Sequence, residues 1–140
     1  THTGLDLDVI TSADGITWTA MTIGGSNWQD LAWSSDLGLF VAVGDVGIRT
    51  SPDGVTWTNR TAPAGSGTHR AVEWSSTQGI FMLGTQTGTY GYATSPDGIN
   101  WTAHPGGPLP GNNWWSLCYS PDLDRWVISG TLSPYPIRYT

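Results

Sequence analysis

Three heptapeptides place a carboxylate at the same point: Ser12-Ala-Asp14-Gly-Ile-Thr-Trp18, Ser51-Pro-Asp53-Gly-Val-Thr-Trp57 and Ser95-Pro-Asp97-Gly-Ile-Asn-Trp101. Such a carboxylate can hydrogen-bond the backbone just ahead of it, with Pro presetting φ and Gly accepting positive φ in a tight turn. It can also ligate calcium, but one carboxylate per turn is thin for an ion that takes about 6–8 oxygens. A second set carries aromatic rings. Trp28, His69 and Trp114 hold equivalent repeat positions, each followed by a member of the set Gln29, Arg70 and Trp115. Indole faces beside Asn27, Asp30, Arg70 and Asn113 suit a sugar, whose C–H face stacks and whose hydroxyls take hydrogen bonds. The competing reading is that these rings only fill space between sheets. Asp45, Tyr90 and Tyr135, on loops at the same end of the repeats, complete the candidate ligand-binding set.

Other chemistries find little support. Glycoside cleavage needs two carboxylates, or a Tyr nucleophile with an acid. Glu73 is the single Glu, and its repeat counterparts are Ala32 and Cys118. Arg49 and Arg138 are equivalent repeat positions, which explains them without catalysis. His2, His69 and His104 lack metal-ligand spacing. Cys118 sits mid-strand without a nearby His and reads as a buried, inert thiol. Asp122 and Asp124 lie in a tight turn and read as solvated. No Gly loop precedes a helix to cradle phosphate. The expectation is a non-enzymatic chain with no catalytic residues, no metal and no cofactor.

The elements that position these residues follow from the 140-residue length and the turns. Hydrophobic content is 38%, offset by nine Trp, while nineteen Gly and nine Pro imply many turns and short strands. Residues 27–62 read as one unit of four strands: 27–34, 39–44, 48–51 and 55–61. Residues 39–44 are nearly all apolar, as in a strand buried on both faces. The next unit repeats the plan at 68–75, 80–84, 91–95 and 99–104. The last supplies 113–120, 125–130 and 136–140, and the chain opens with 7–12 and 16–21. The heptapeptides recur 39 and then 44 residues apart. Four-stranded antiparallel units at that period predict β-propeller blades rather than a solenoid. The whole of 1–140 reads as one propeller segment, with repeats 1–26, 27–67, 68–112 and 113–140, the first and last partial. Trp18, Trp57 and Trp101 are expected between neighbouring outer strands, as structural residues.

The heptapeptide resembles the Asp-box, or bacterial neuraminidase repeat, Ser-x-Asp-x-Gly-x-Thr-Trp, in a form one residue shorter. The resemblance spans essentially the whole chain. It implies a propeller in which the box is a hairpin between third and fourth strands, on the face opposite the binding site. Asp14, Asp53 and Asp97 are then turn-formers. It also raises a sialidase-like glycosidase, whose Arg triad has no visible counterpart here. Repeats of this Ser-Pro-Asp-Gly type look like those of bacterial surface and phage structural proteins, which implies an extracellular or virion-associated setting such as a phage tail or fibre.

About three blades' worth of strands falls short of the roughly 4–8 of a closed propeller. Ile137-Arg-Tyr-Thr140 lies over Ile48-Arg-Thr-Ser51, so a third strand is expected at both ends. That surplus, and a start at Thr1-His-Thr-Gly without Met or signal pattern, favour a segment of a longer chain over identical copies completing a ring. Turns vary on one rim (residues 45–47, 85–91 and 131–136) and hold constant on the other, the division of recognition from scaffold. By strict alternation Trp28, His69 and Trp114 face away from the apolar set of Leu31, Val72, Leu117, Trp33, Trp74 and Tyr119, toward the mouth of an axial channel. A net charge of −6, with five scattered Arg and no Lys, argues against nucleic acid or an anionic membrane surface as partner. No apolar run is long enough to insert in a membrane. The expected function is recognition of a glycan or cell-surface receptor, with a purely structural or oligomerisation scaffold and a glycosidase fragment as alternatives.

Overall fold

Alternating runs and Gly-bearing turns produce twelve strands, and no helix, in the computed structural model, which describes residues 9–25, 27–45, 47–105 and 113–131. The strands are β1 Val9–Thr11, β2 Thr19–Met21, β3 Trp28–Ser34, β4 Leu39–Gly44, β5 Gly47–Ser51, β6 Thr58–Arg60, β7 His69–Ser75, β8 Ile80–Thr85, β9 Tyr92–Ser95, β10 Thr102–His104, β11 Asn113–Ser120 and β12 Arg125–Thr131. They form four antiparallel sheets in chain order: β1-β2, β3-β4-β5-β6, β7-β8-β9-β10 and β11-β12. The second and third sheets therefore carry four strands each, as the repeat predicts. The strand expected over 136–140 lies outside the described residues.

The turn from the first to the second strand of each unit is held the same way three times. Ser34, Ser75 and Ser120 accept the backbone N–H of Leu37, Gln78 and Leu123 on their hydroxyl oxygens, at 3.2, 3.0 and 3.4 Å. The apolar run 39–44 becomes β4, and its last four residues are buried. The second, third and fourth sheets stack face to face, with β7 against β3 and β4, and β11 against β7 and β8. Between the second and third sheets lies the main core. Ala32, Val41, Val43 and Ile48 meet Val72, Trp74, Phe81, Leu83 and Ala93 there. An aromatic pair recurs in each unit: Trp33–Phe40 at 4.3 Å, Trp74–Phe81 at 4.6 Å and Tyr119–Trp126 at 4.8 Å between centroids. Between the third and fourth sheets, Gly84 lies against Trp114, Leu117 and Ile128. A Cβ there would lie 3.4 Å from Trp114 Cβ and 3.7 Å from Leu117 and Ile128.

The three boxes share one hydrogen-bond pattern. The Ser hydroxyl donates to the Asp Oδ1 at 2.9, 2.9 and 3.0 Å. The same Oδ1 accepts the N–H groups two and three residues on, at 2.8 and 2.7 Å in every copy. This corrects the expected fourth strands. Residues 55–57 and 99–101 do not extend β6 and β10, and 16–18 do not extend β2, because the carboxylate holds their first two N–H groups and no ladder can use them. Asp14, Asp53 and Asp97 are turn-formers in this geometry. Trp57 and Trp101 occupy equivalent places, each indole N–H donating to its own box glycine carbonyl, Gly54 at 3.1 Å and Gly98 at 3.2 Å. Trp101 also packs against Phe81 and the main core. Trp18 differs from this expectation: it is exposed, since no described sheet precedes the one that carries it.

Candidate functional site

One side chain in each first strand is extra. The ladder shifts register between Trp28 and Asp30, between His69 and Ala71, and between Trp114 and Ser116, so Gln29, Arg70 and Trp115 are β-bulge residues. The bulge resets the alternation. Trp28 pairs with Gly44 and Leu31 with Ala42, two residues apart on β4, so Trp28 lies on the same face as Leu31 and Trp33. His69 shares its face with Val72 and Trp74, and Trp114 with Leu117 and Tyr119, by the same count. The expected orientation of these three rings, away from the apolar set, is thereby corrected. His69 is 2% exposed and Trp114 is also buried, both between sheets. The apolar set divides as well, with Leu31 and Trp33 much more exposed than Val72, Trp74 and Leu117.

His69 Nδ1 lies 3.1 Å from the Gly44 carbonyl oxygen. Burial pushes its pKa below the ordinary histidine value, against the pull of the Gly44 carbonyl and of Asp45. A carbonyl only accepts, so a neutral ring bonded to Gly44 carries its proton on Nδ1, and the Gly47 backbone likewise favours a protonated ring. Among the described residues, His69 Nε2, Trp28 Nε1 and Arg49 Nε are buried without a hydrogen-bond partner. Trp28 lies beneath the Arg49 guanidinium, 5.6 Å from its ring centroid. Arg49 Nη1 in turn donates to the Ile23 carbonyl. Tyr90 is buried in the main core, and its burial raises the phenol pKa.

The bulge residues make a more open cluster at the ends of three sheets. Arg70 Nε donates to Gln86 Oε1 at 2.5 Å, and Nη1 lies 3.9 Å from Asp45 Oδ1. The Arg70 guanidinium carbon stands 5.3 Å from the Trp115 ring centroid. Trp115 is half exposed, and its indole N–H donates to Thr131 Oγ1 at 2.8 Å. Asp45 is exposed, receives the Asn27 side-chain amide at 3.2 Å, and donates its own backbone N–H to the Asn27 carbonyl at 3.2 Å. Asn27 sits at φ 58, a conformation Asn tolerates better than most residues. Gln29 donates its amide to the same Asn27 carbonyl at 3.3 Å.

Of the eight candidate ligand-binding residues, Asp45, Arg70 and Trp115 therefore come together on an accessible rim. Trp28 lies half-buried at the same end, whereas His69, Trp114 and Tyr90 are interior. Tyr135 lies outside the described residues. Gln86, Thr131 and Arg49 join the rim without having been singled out for it. Gln86 and Thr131 belong to the variable loops, which was the signal available. Glu73 is half-buried, with Oε1 accepting the Trp74 backbone N–H at 3.1 Å. A depression of about 330 Å³ beside the first box is lined by Thr11, Ser12, Ala13, Asp14, Thr17 and Thr19. Its carboxylate oxygen Oδ1 is already engaged by two backbone N–H groups. No group of three or more His, Cys, Asp or Glu among the described residues could hold a metal ion. No helix among them is long and apolar enough to cross a membrane. The chain matches no protein-family model and no curated protein.

Proposed function

We propose that the chain is a non-enzymatic recognition module of Asp-box type, its sheets serving as blades of a β-propeller that binds a carbohydrate or cell-surface receptor on an extracellular or virion-associated protein. The carrying observation is the rim cluster of Asp45, Arg70 and Trp115. A half-exposed indole offers a stacking face, Arg70 stands beside it, and a chain of donors and acceptors runs from Arg70 through Gln86 and Asp45 to Asn27 and Gln29. That mixture matches a pyranose, which is apolar on its C–H face and polar at its edge. The blade reading is supported by the packing of β7 against both β3 and β11 and by the identical box geometry in three units.

A glycan array tests this reading. Binding is expected, with Trp115→Ala and Asp45→Ala each weakening the affinity by at least about tenfold, or ~1.4 kcal/mol. Absence of any glycan signal from a folded chain overturns the carbohydrate assignment. The second reading, a structural scaffold without small ligand, draws on the burial of His69, Trp114 and Tyr90, three rings expected at the ligand face.

A further inference from the structure

The first and fourth sheets are halves of different kinds. In the complete sheets the second strand pairs with the third, as β4 with β5 and β8 with β9. The first sheet holds counterparts of the third and fourth strands, and the fourth sheet counterparts of the first and second. Among the described strands, β1 pairs with β2 alone and β12 with β11 alone. Among the described residues, each thus presents an unpaired edge of the sort its counterpart uses. Bare edges and lone hairpins are poor end states for a folded chain.

The faces are matched as well. Where two sheets meet, a row of small and acidic residues of one first strand, including Asp30 in β3 and Glu73 in β7, opposes large residues of the next. Ala32 and Ser34 lie on the face toward Val72 and Trp74, and Ala71 and Ser75 on the face toward Leu117 and Tyr119. The outer face of the fourth sheet repeats the small side, with Ser116, Cys118 and Ser120, and leaves Val127 60% exposed. The outer face of the second sheet repeats the large side. Leu31 there is 49% and Trp33 44% exposed, whereas their counterparts Val72 and Trp74 are 3% and 9% exposed. The boxes agree. Gly54 packs beside Thr11, and Gly98 beside Leu39 and Val41 of the preceding sheet, whereas Gly15 has nothing within 4 Å of its Cβ position.

We propose that the occupant of both half-sheets is a second copy of this chain. The β11-β12 hairpin of one copy joins β1-β2 of the other in a composite four-stranded sheet, seated on the Leu31 and Trp33 face. The β4–β5 register, transferred by repeat position, sets Val127 opposite Thr11, Ile128 opposite Ile10 and Ser129 opposite Val9. Ile128 and Ile10 then share a face. Trp74 donates its indole N–H to Asp36 of the neighbouring sheet at 3.1 Å. By the same equivalence Trp33 donates to Asp122 of the second copy. The contact is head-to-tail, so it closes only as a ring. This inference is independent of the glycan reading, because Asp45, Arg70 and Trp115 lie within one copy.

Two other occupants compete for these edges: a strand formed over 136–140 against β12, and further residues of a longer chain against β1. Light scattering of the 140-residue chain at about 50 μM separates them, with thiol labelling of Cys118 as a second readout. Expected is a discrete assembly of at least twice 15.0 kDa, in which Cys118, exposed in the single chain, reacts at least about tenfold more slowly than a free thiol. Val127→Asp is expected to release folded 15.0 kDa chains with fast labelling. Trp33→Asp probes the other face should that variant fail to fold. A 15.0 kDa particle with freely reacting Cys118 overturns the proposal. So does an assembly that survives both substitutions with Cys118 open to reagent.

Discussion

The Arg70 guanidinium lies 5.3 Å above the Trp115 ring while its Nη1 reaches toward Asp45, so one side chain ties together the rims of three sheets. Both contacts are partly solvated. A cation–π contact at such a site contributes about 0.5–1 kcal/mol, and an exposed ion pair about as little. Arg70→Ala is therefore expected to cost no more than about 1 kcal/mol in urea unfolding. It should nevertheless change the emission of Trp115, which loses a cation from its face. Arg70→Lys, which cannot reproduce the planar fork toward Gln86 and Asp45, should keep the charge and lose part of the spectral signature.

Trp114 and Trp115 are adjacent in sequence and opposite in consequence. Trp114 is buried against Gly84 and Gly91, and removing it leaves a cavity. Trp114→Ala should destabilise the fold by about 3–5 kcal/mol. Trp115→Ala removes a half-exposed ring at the rim and should cost less than about 1 kcal/mol. Chemical denaturation of the two variants checks the contrast. Equal costs would mean that the bulge does not separate the two rings as described.

That contrast also marks where sequence reading stopped. The strand pattern, the repeat and the turn chemistry were legible, because β-branched runs, Gly38 and Gly79, and the Ser-Pro-Asp-Gly segments each impose a local rule. Residues 39–44 and 113–120 became strands with the bounds expected of them. The bulges at Gln29, Arg70 and Trp115 were not legible. They carry no Gly or Pro and differ in residue type, and their effect appears only in the cross-strand register. A one-residue shift sends every earlier side chain to the other face, which is why His69 and Trp114 were expected at the mouth of a channel and lie between sheets. The fourth strands were overestimated for a different reason. Alternation in 55–61 is real, but the Asp53 carboxylate claims the N–H groups of Val55 and Thr56 before any ladder can.

The boxes should make the fold acid-sensitive in a defined window. The N–H groups of Thr56 and Val55 and the Ser51 hydroxyl lower the Asp53 pKa to about 2. At Asp97 partial burial acts in the opposite sense, but the hydrogen bonds from Asn100, Ile99 and Ser95 together outweigh it and the value is again about 2. Asp14 is lowered further by Thr17, Ile16 and Ser12. Each folded-state value lies below the ordinary carboxylate value of about 3.9. The resulting stability is fully present above about pH 4 and is lost as pH falls toward about 2. The double variant Asp53→Asn and Asp97→Asn should be less stable at neutral pH and show a flatter decline over that window. Urea midpoints at several pH values test this. Parallel curves for variant and parent would remove the boxes as the origin of acid sensitivity.

His69 should set an earlier step. Its pKa is depressed by burial, so the folded state binds a proton less readily than the unfolded state, whose histidine titrates near 6.5. The contribution to stability is complete above about pH 6.5 and declines as pH falls toward the depressed folded-state value, because protonation favours the unfolded chain. The decline precedes that of the boxes and belongs to one residue. His69→Gln, whose amide can donate to the Gly44 carbonyl without titrating, is expected to abolish the decline that begins below about pH 6.5 while leaving the carboxylate step below about pH 4 in place. Thermal melts at closely spaced pH values resolve the two. Retention of the upper step in His69→Gln would remove His69 as its origin.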